Sequence, residues 1–194
     1  ERLDLKEELF AQLERAARRD AILASSSSAL TTSAFAGALS TRDRCLVAHP
    51  GNPPYLLPVV ELVPAPFTDP AVVERLHRIL TEAGMSPVLV HREVEGFVFN
   101  RLQGALLREA YCLVRDGVVS PEDLDRVVRD GVGRRWAVIG PFETAELNTR
   151  GGIEAHAARM GPAYARMGAE RGQDDPWTDD LVRRVADDVH RRLP

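Results

Sequence analysis

The sequence predicts an α/β region followed by an all-helical one, and three observations carry that reading. Up to Arg92, short apolar runs of strand length alternate with segments of helical period. From Val94 onward no run reads as a strand. Hydrophobic residues make up 44% of the 194, the share of a globular chain with a real core. The alternation implies an open sheet with mainly parallel pairing. The boundary falls near residue 93, which divides the chain into 1–93 and 94–194.

The elements follow in order. Leu5, Leu9, Phe10, Leu13, Ala16 and Ala17 repeat at helical spacing, so 3–18 is an amphipathic helix. "AILAS" (21–25) is a buried strand, and "LTTSAFAGAL" (30–39) is a helix capped by Ser or Thr near its start. "RCLVAH" (44–49) is a second strand. "GNPPYLLP" (51–58) stays irregular because three prolines remove donors and fix φ. "VVELV" (59–63) is a strand. In "DPAVVERLHRILTEAG" (69–84), Asp69 is the N-cap, Pro70 sits at N1 and Gly84 ends the helix. "PVLVHR" (87–92) is the last strand. Beyond it, 95–117 is a long helix with Val98, Leu102, Ala105, Leu106, Ala110 and Leu113 on one face. Ser120 caps a helix over 120–132, with Pro121 and acids in its first turn. Further helices are expected near 141–148, 150–171 and 178–192.

Composition narrows the function. Net charge is −4 and no basic stripe stands out, so nucleic acid is not an expected partner. No apolar run approaches the length that spans a bilayer. Cys45 and Cys112 lack metal-ligand spacing and read as buried free thiols, which points to a reducing cytoplasm and to no metal site. The chain opens at Glu1 already in a helical pattern, without a signal-peptide pattern, and is expected to be a piece whose front is missing. It carries 24 arginines and one lysine, Lys6. A lysine that survives such a bias marks a place where a compact ammonium is needed, or chance survival on an exposed helix.

Ligands of an open α/β sheet sit outside the carboxyl ends of its strands. "SSSS" (25–28) follows the first strand directly and His49 ends the second, so both reach one edge. The serines are therefore a strand-to-helix turn rather than a linker. Glu61, inside an apolar strand, is hard to bury unless paired. A His49–Glu61 pair would be an acid–base couple, with the carboxylate fixing the tautomer of the imidazole. Taken alone, each residue also reads as structural. A Ser28–His49–Glu61 hydrolase triad needs a nucleophile elbow, and no G-x-S-x-G is present.

"LASSSSAL", "VAHPGNPPYLLPVVELVP", "GFVFNRLQ", "GVVSPEDLD" and "IGPFETAELN" together resemble the L-3-hydroxyacyl-CoA dehydrogenase family, from Glu1 to about Gly152. The resemblance implies the C-terminal half of a Rossmann-type NAD-binding domain in 1–93. It implies a helical domain in 94–194 that completes the substrate site and forms a homodimer. It implies NAD-dependent oxidation of a C3 hydroxyl, with His49 as base, Glu61 as its partner, and Ser28 and Asn100 at the substrate oxygen. Glu1, Lys6, Ser28 and Asn52 match cofactor-contacting positions. The family's G-x-G-x-x-G fingerprint is absent from this sequence, so NAD rather than NADP rests on the resemblance, and the chain alone is expected to be inactive.

The expected substrate is a small free 3-hydroxy acid of the L-gulonate kind. An acyl-CoA or a carnitine-type hydroxy acid is the alternative. Arg134 and Arg135 could pair with a substrate carboxylate or be a solvated pair, and Trp136 is expected in a core or an interface. The non-enzymatic alternatives are a structural, storage-type protein and a dimerisation module.

Overall fold

The computed structural model describes residues 2–171 and Asp180. The helix expected over 178–192 lies outside these residues, Asp180 apart. The chain divides into two compact units, Glu1–Gly104 and the remainder from Ala105 onward.

The first unit is a four-stranded sheet in the order β1-β2-β3-β4, formed by Leu23–Ser25, Cys45–Pro50, Val59–Pro64 and Ser86–Leu89. β1 runs parallel to β2, and β3 parallel to β4. β2 and β3 are antiparallel, so the sheet is mixed: two of its three pairs are parallel, in line with the expected mainly parallel pairing, and the central pair is the exception. The reason lies in residues 51–58. A parallel connection needs a crossover of a dozen or more residues, whereas an antiparallel pair is joined by a short loop. This loop closes on itself: Gly51 N donates to Val59 O at 2.9 Å and Leu57 N to Pro53 O at 3.0 Å.

Helix α1 (Leu3–Ala16) and the short α2 (Thr32–Ala36) pack together over β2. Phe10 and Phe35 meet with ring centroids 4.5 Å apart. They join Leu23, Cys45, Val47, Val63, Val90 and Phe97 in one buried cluster. Thr31 stands at the N-cap of α2 but makes no side-chain cap bond. Glu93 takes that role from a distance. Its carboxylate accepts from Ser33 N at 2.8 Å and from Ser33 Oγ. Leu46 and Leu62 fill the opposite face of the sheet and are fully buried, as in a strand covered on both sides.

Helix α3 (Pro70–Glu82) is built as its signals predict. Asp69 Oδ1 accepts from Ala71 N at 2.8 Å, Pro70 opens the first turn, and Gly84 at φ 80° reverses the chain behind it. Gly takes that left-handed conformation without a Cβ clash.

Helix α4 (Phe99–Arg115) begins four residues later than its periodicity suggests. Gly96 (φ 75°) and Phe97 (φ 50°) are both left-handed, which no helix can continue. The second unit contains α5 (Pro121–Arg126), capped by Ser120 Oγ accepting from Asp123 N at 3.1 Å. A wide π turn (Val127–Val132) carries it into α6 (Gly133–Trp136). α7 (Pro141–Leu147) and α8 (Gly152–Arg171) pack against each other. No strand occurs after Leu89 among the described residues.

Candidate active site

The site forms where β1 and β2 end and β3 begins. Residues 45, 47 and 49 point to one face of the sheet, and antiparallel pairing sets Val47 opposite Val63 and His49 opposite Glu61. The His–Glu pair is thus the polar end of a row whose other members are core. The reversal of β3 is what brings Glu61 to the same edge as His49.

His49 Nδ1 and Glu61 Oε2 are 2.8 Å apart, with the two side chains 9% and 3% exposed. A carboxylate at that distance accepts a hydrogen bond from Nδ1–H, which leaves the lone pair on Nε2. An imidazole held this way can accept a proton at Nε2, and the buried carboxylate stabilises the resulting cation. Phe97 and Phe99 flank the ring with centroids at 5.6 and 6.3 Å, Phe99 edge-on. Phe97 is fully buried in spite of its left-handed backbone; its burial and ring contact offset the strain.

The second oxygen of Glu61 is also engaged. Oε1 accepts from the backbone N–H of Val98 at 2.7 Å and of Phe99 at 2.9 Å, the amide just before α4 and the first one in it. The buried charge is met by three hydrogen bonds and the positive end of a helix.

The serine run turns the chain from β1 towards α2 through its own side chains. Ser25 Oγ accepts from Ser27 N at 3.2 Å, and Ser27 Oγ accepts from Leu30 N at 2.8 Å. Lys6 donates from Nζ to Ser25 Oγ at 2.9 Å and lies 6.0 Å from the Phe35 ring centroid, which gives the single lysine a partly buried post. Ser28 is exposed at the tip of the turn, and its carbonyl accepts from Asn100 Nδ2 at 2.9 Å.

The structure therefore joins His49 to Glu61 directly and Asn100 to Ser28 through the backbone. Lys6 meets Ser25 rather than Ser28. Asn52 is exposed in the loop after β2, and Glu1 lies outside the described residues. Arg134 and Arg135 are exposed on α6. Trp136 is 43% exposed, so of its two expected places, a core or an interface, it does not take the core. Sequence reasoning missed Ser25, Phe97 and the amides of Val98 and Phe99. The one written signal for the last three is the Glu-Gly pair before the apolar helix face.

Cys45 and Cys112 are both buried. Burial pushes the Cys45 thiol from 9.0 up to about 11. Among the described residues no cluster of His, Cys, Asp or Glu could hold a metal ion, and no helix is long and apolar enough to cross a membrane.

The polar groups at this edge are an ammonium at Lys6, the serine turn and an exposed amide at Asn52, the kinds of donor an anionic cofactor takes. The glycine-rich turn that would hold a pyrophosphate is not in this sequence.

Comparison with known proteins places these features in a family. Residues 1–94 match "3-hydroxyacyl-CoA dehydrogenase, NAD binding domain", and residues 96–187 match the C-terminal domain of the same family. The chain is 43% identical to lambda-crystallin of Oryctolagus cuniculus over 194 residues, covering all of this chain and 60% of that protein. It is 42% identical to L-carnitine dehydrogenase of a Pseudomonas species, covering 97% of this chain and 58% of that protein. The solved structure of an NAD+-dependent dismutase, 5-formyl-3-hydroxy-2-methylpyridine 4-carboxylic acid 5-dehydrogenase, superimposes with a TM-score of 0.83 at 29% identity. The match covers 97% of this chain and 59% of that one. The chain thus spans about 60% of the length of the relatives it matches.

Proposed function

The chain belongs to the 3-hydroxyacyl-CoA dehydrogenase family, an NAD-dependent one, and on that footing we propose that the whole protein oxidises the C3 hydroxyl of a small free 3-hydroxy acid such as L-gulonate. The observation that supports this most directly is the 2.8 Å pair of His49 and Glu61 at the carboxyl ends of β1 and β2. His49 takes the hydroxyl proton at Nε2. Glu61 holds the Nδ1 proton in place and stabilises the cation that forms. Ser28 and Asn100 steady the substrate oxygen as it becomes a carbonyl. Lys6, Ser28, Asn52 and Glu1 hold the cofactor. NAD, when bound, supplies the acceptor for the hydride that leaves C3.

In this reading residues 1–93 contribute the catalytic edge of the NAD-binding domain. Residues 94–194 complete the substrate site and pair two copies of the protein. The chain by itself turns nothing over, since it lacks the glycine-rich turn. The two buried thiols suit a reducing cytoplasm. Two relatives support a small substrate with a free carboxylate: one is named for L-carnitine and the other for a pyridine carboxylic acid. An acyl-CoA substrate, after which the family is named, is the alternative.

The test is NADH formation by the complete protein with L-gulonate, L-carnitine and a 3-hydroxyacyl-CoA in parallel, beside His49→Ala. Turnover of L-gulonate that falls by roughly 100-fold or more in the variant is the expected result. Turnover of the acyl-CoA alone would overturn the substrate class. No turnover of any of the three would overturn the reading.

A further inference from the structure

Glu61 has two oxygens with two different clients, and they belong to the two halves of the substrate site. Oε2 holds Nδ1 of His49 at 2.8 Å. Oε1 holds the amides of Val98 and Phe99 at 2.7 and 2.9 Å. Asn100 is the next residue along, in the first turn of α4, and its side chain reaches the carbonyl of Ser28 at 2.9 Å. Ahead of these amides the chain has just passed through two left-handed residues, Gly96 and Phe97, so nothing helical precedes α4 to hold its first turn. The amides of a first turn have no partner within their own helix. Here they are met by a carboxylate from β3.

We propose that Glu61 is the positioning residue for Asn100: by seating the amides at the start of α4 on Oε1, it places the Asn100 side chain against the serine turn while Oε2 sets the tautomer of His49. One buried side chain then fixes the base and the group that steadies the substrate oxygen relative to each other. This inference rests on the dehydrogenase reading for its catalytic meaning, although the seating itself can be measured without any turnover.

Three variants separate the two oxygens. In Glu61→Gln the amide oxygen still accepts from Val98 and Phe99. Its NH2 group faces Nδ1, which makes Nδ1 the acceptor and moves the ring proton to Nε2. In Glu61→Met neither client has an acceptor, and the volume is kept. His49→Ala removes the base and leaves Oε1 in place. The readouts are amide hydrogen exchange at Val98 and Phe99, the side-chain NH2 resonances of Asn100, the 15N shifts of His49, and kcat and KM in the complete protein.

The expected pattern is specific. Glu61→Met exchanges Val98 and Phe99 on the order of 10- to 100-fold faster, with the β2–β3 amides still protected. It shifts the Asn100 resonances, lowers kcat and raises KM. Glu61→Gln keeps both amides protected and KM unchanged, changes the His49 15N pattern and lowers kcat alone. His49→Ala leaves both amides protected.

Unchanged exchange in folded Glu61→Met overturns the proposal, as does a Glu61→Gln whose KM rises as far as that of Glu61→Met. His49→Ala with the same two amides exposed also overturns it, and decides the matter even where Glu61→Met does not fold. A wild-type protein that protects these amides but makes no NADH would sink the dehydrogenase reading while the seating stands.

Discussion

At the scale of a residue, Cys45 shows how burial alone writes a pH dependence. The thiol is fully buried between α2 and the sheet, and its pKa is pushed from 9.0 up to about 11. Loss of solvation is the main cause, since burial penalises the thiolate. The folded protein therefore keeps this proton over a range in which the unfolded chain has released it. Folding binds a proton there, so stability falls as pH rises from about 9 to about 11. Chemical denaturation across that window should show the wild-type midpoint falling more steeply than that of Cys45→Ala. Parallel slopes would mean that Cys45 titrates alike in both states. Lys6 is the other residue whose place is decided singly. Its ammonium fits between the Ser25 hydroxyl and the Phe35 ring, a post that a broad planar guanidinium fills poorly.

At the scale of an element, the segment from the end of β4 into the first turn of α4 works as a strap. Glu93 ties it to Ser33 at the start of α2, Val98 and Phe99 tie it to Glu61, and Asn100 ties it to Ser28. Each knot joins the strap to a piece of chain more than 30 residues away. The Glu93 knot is surface-lying but charge-assisted, so Glu93→Ala should cost about 1 kcal/mol of stability. Ser33→Ala removes one of its two bonds, and a double-mutant cycle should find the pair non-additive. Additive losses would mean that the two residues do not act on each other in solution.

The strap is also where sequence reasoning ran out, and the reason is physical. α3 was legible from end to end because Asp69, Pro70 and Gly84 each act through a side chain or the lack of one. The pairing of His49 with Glu61 was legible because a carboxylate in "VVELV" demands a partner. The reversal between β2 and β3 went unread, although 51–58 is a connection too short for a crossover. Phe97 was not legible, since nothing in a phenylalanine announces a left-handed backbone. Nor were the Val98 and Phe99 amides, because every residue but proline carries one.

At the scale of the molecule, the two compact units differ in how well they cover themselves. The sheet unit buries Leu46, Val47, Leu62 and Val63 completely. The helical unit leaves Val127, Val138, Phe142, Leu147 and Tyr164 more than half exposed. Apolar side chains gathered in one small unit in that way suit a surface that another protein covers. The homodimer proposed above supplies such a cover. Sedimentation of the wild-type protein should give twice the monomer mass, and Phe142→Glu with Val138→Glu should shift it towards the monomer. A wild-type protein that sediments as a monomer at micromolar concentration would remove the homodimer from the proposal.

The two families of contact that sew the strap to the site share a trait. Glu61 meets main-chain amides at Val98 and Phe99, and Asn100 meets a main-chain carbonyl at Ser28. In each stitch only one partner is a side chain, so these hydrogen bonds read the letters Glu and Asn and ignore what is written at 28 and 98. Recombination between relatives near residue 95 therefore needs no re-matching of these hydrogen bonds, only of the Phe97 and Phe99 rings against His49 and the core. A lineage can trade one half for another, provided those two letters and the rings at 97 and 99 are kept.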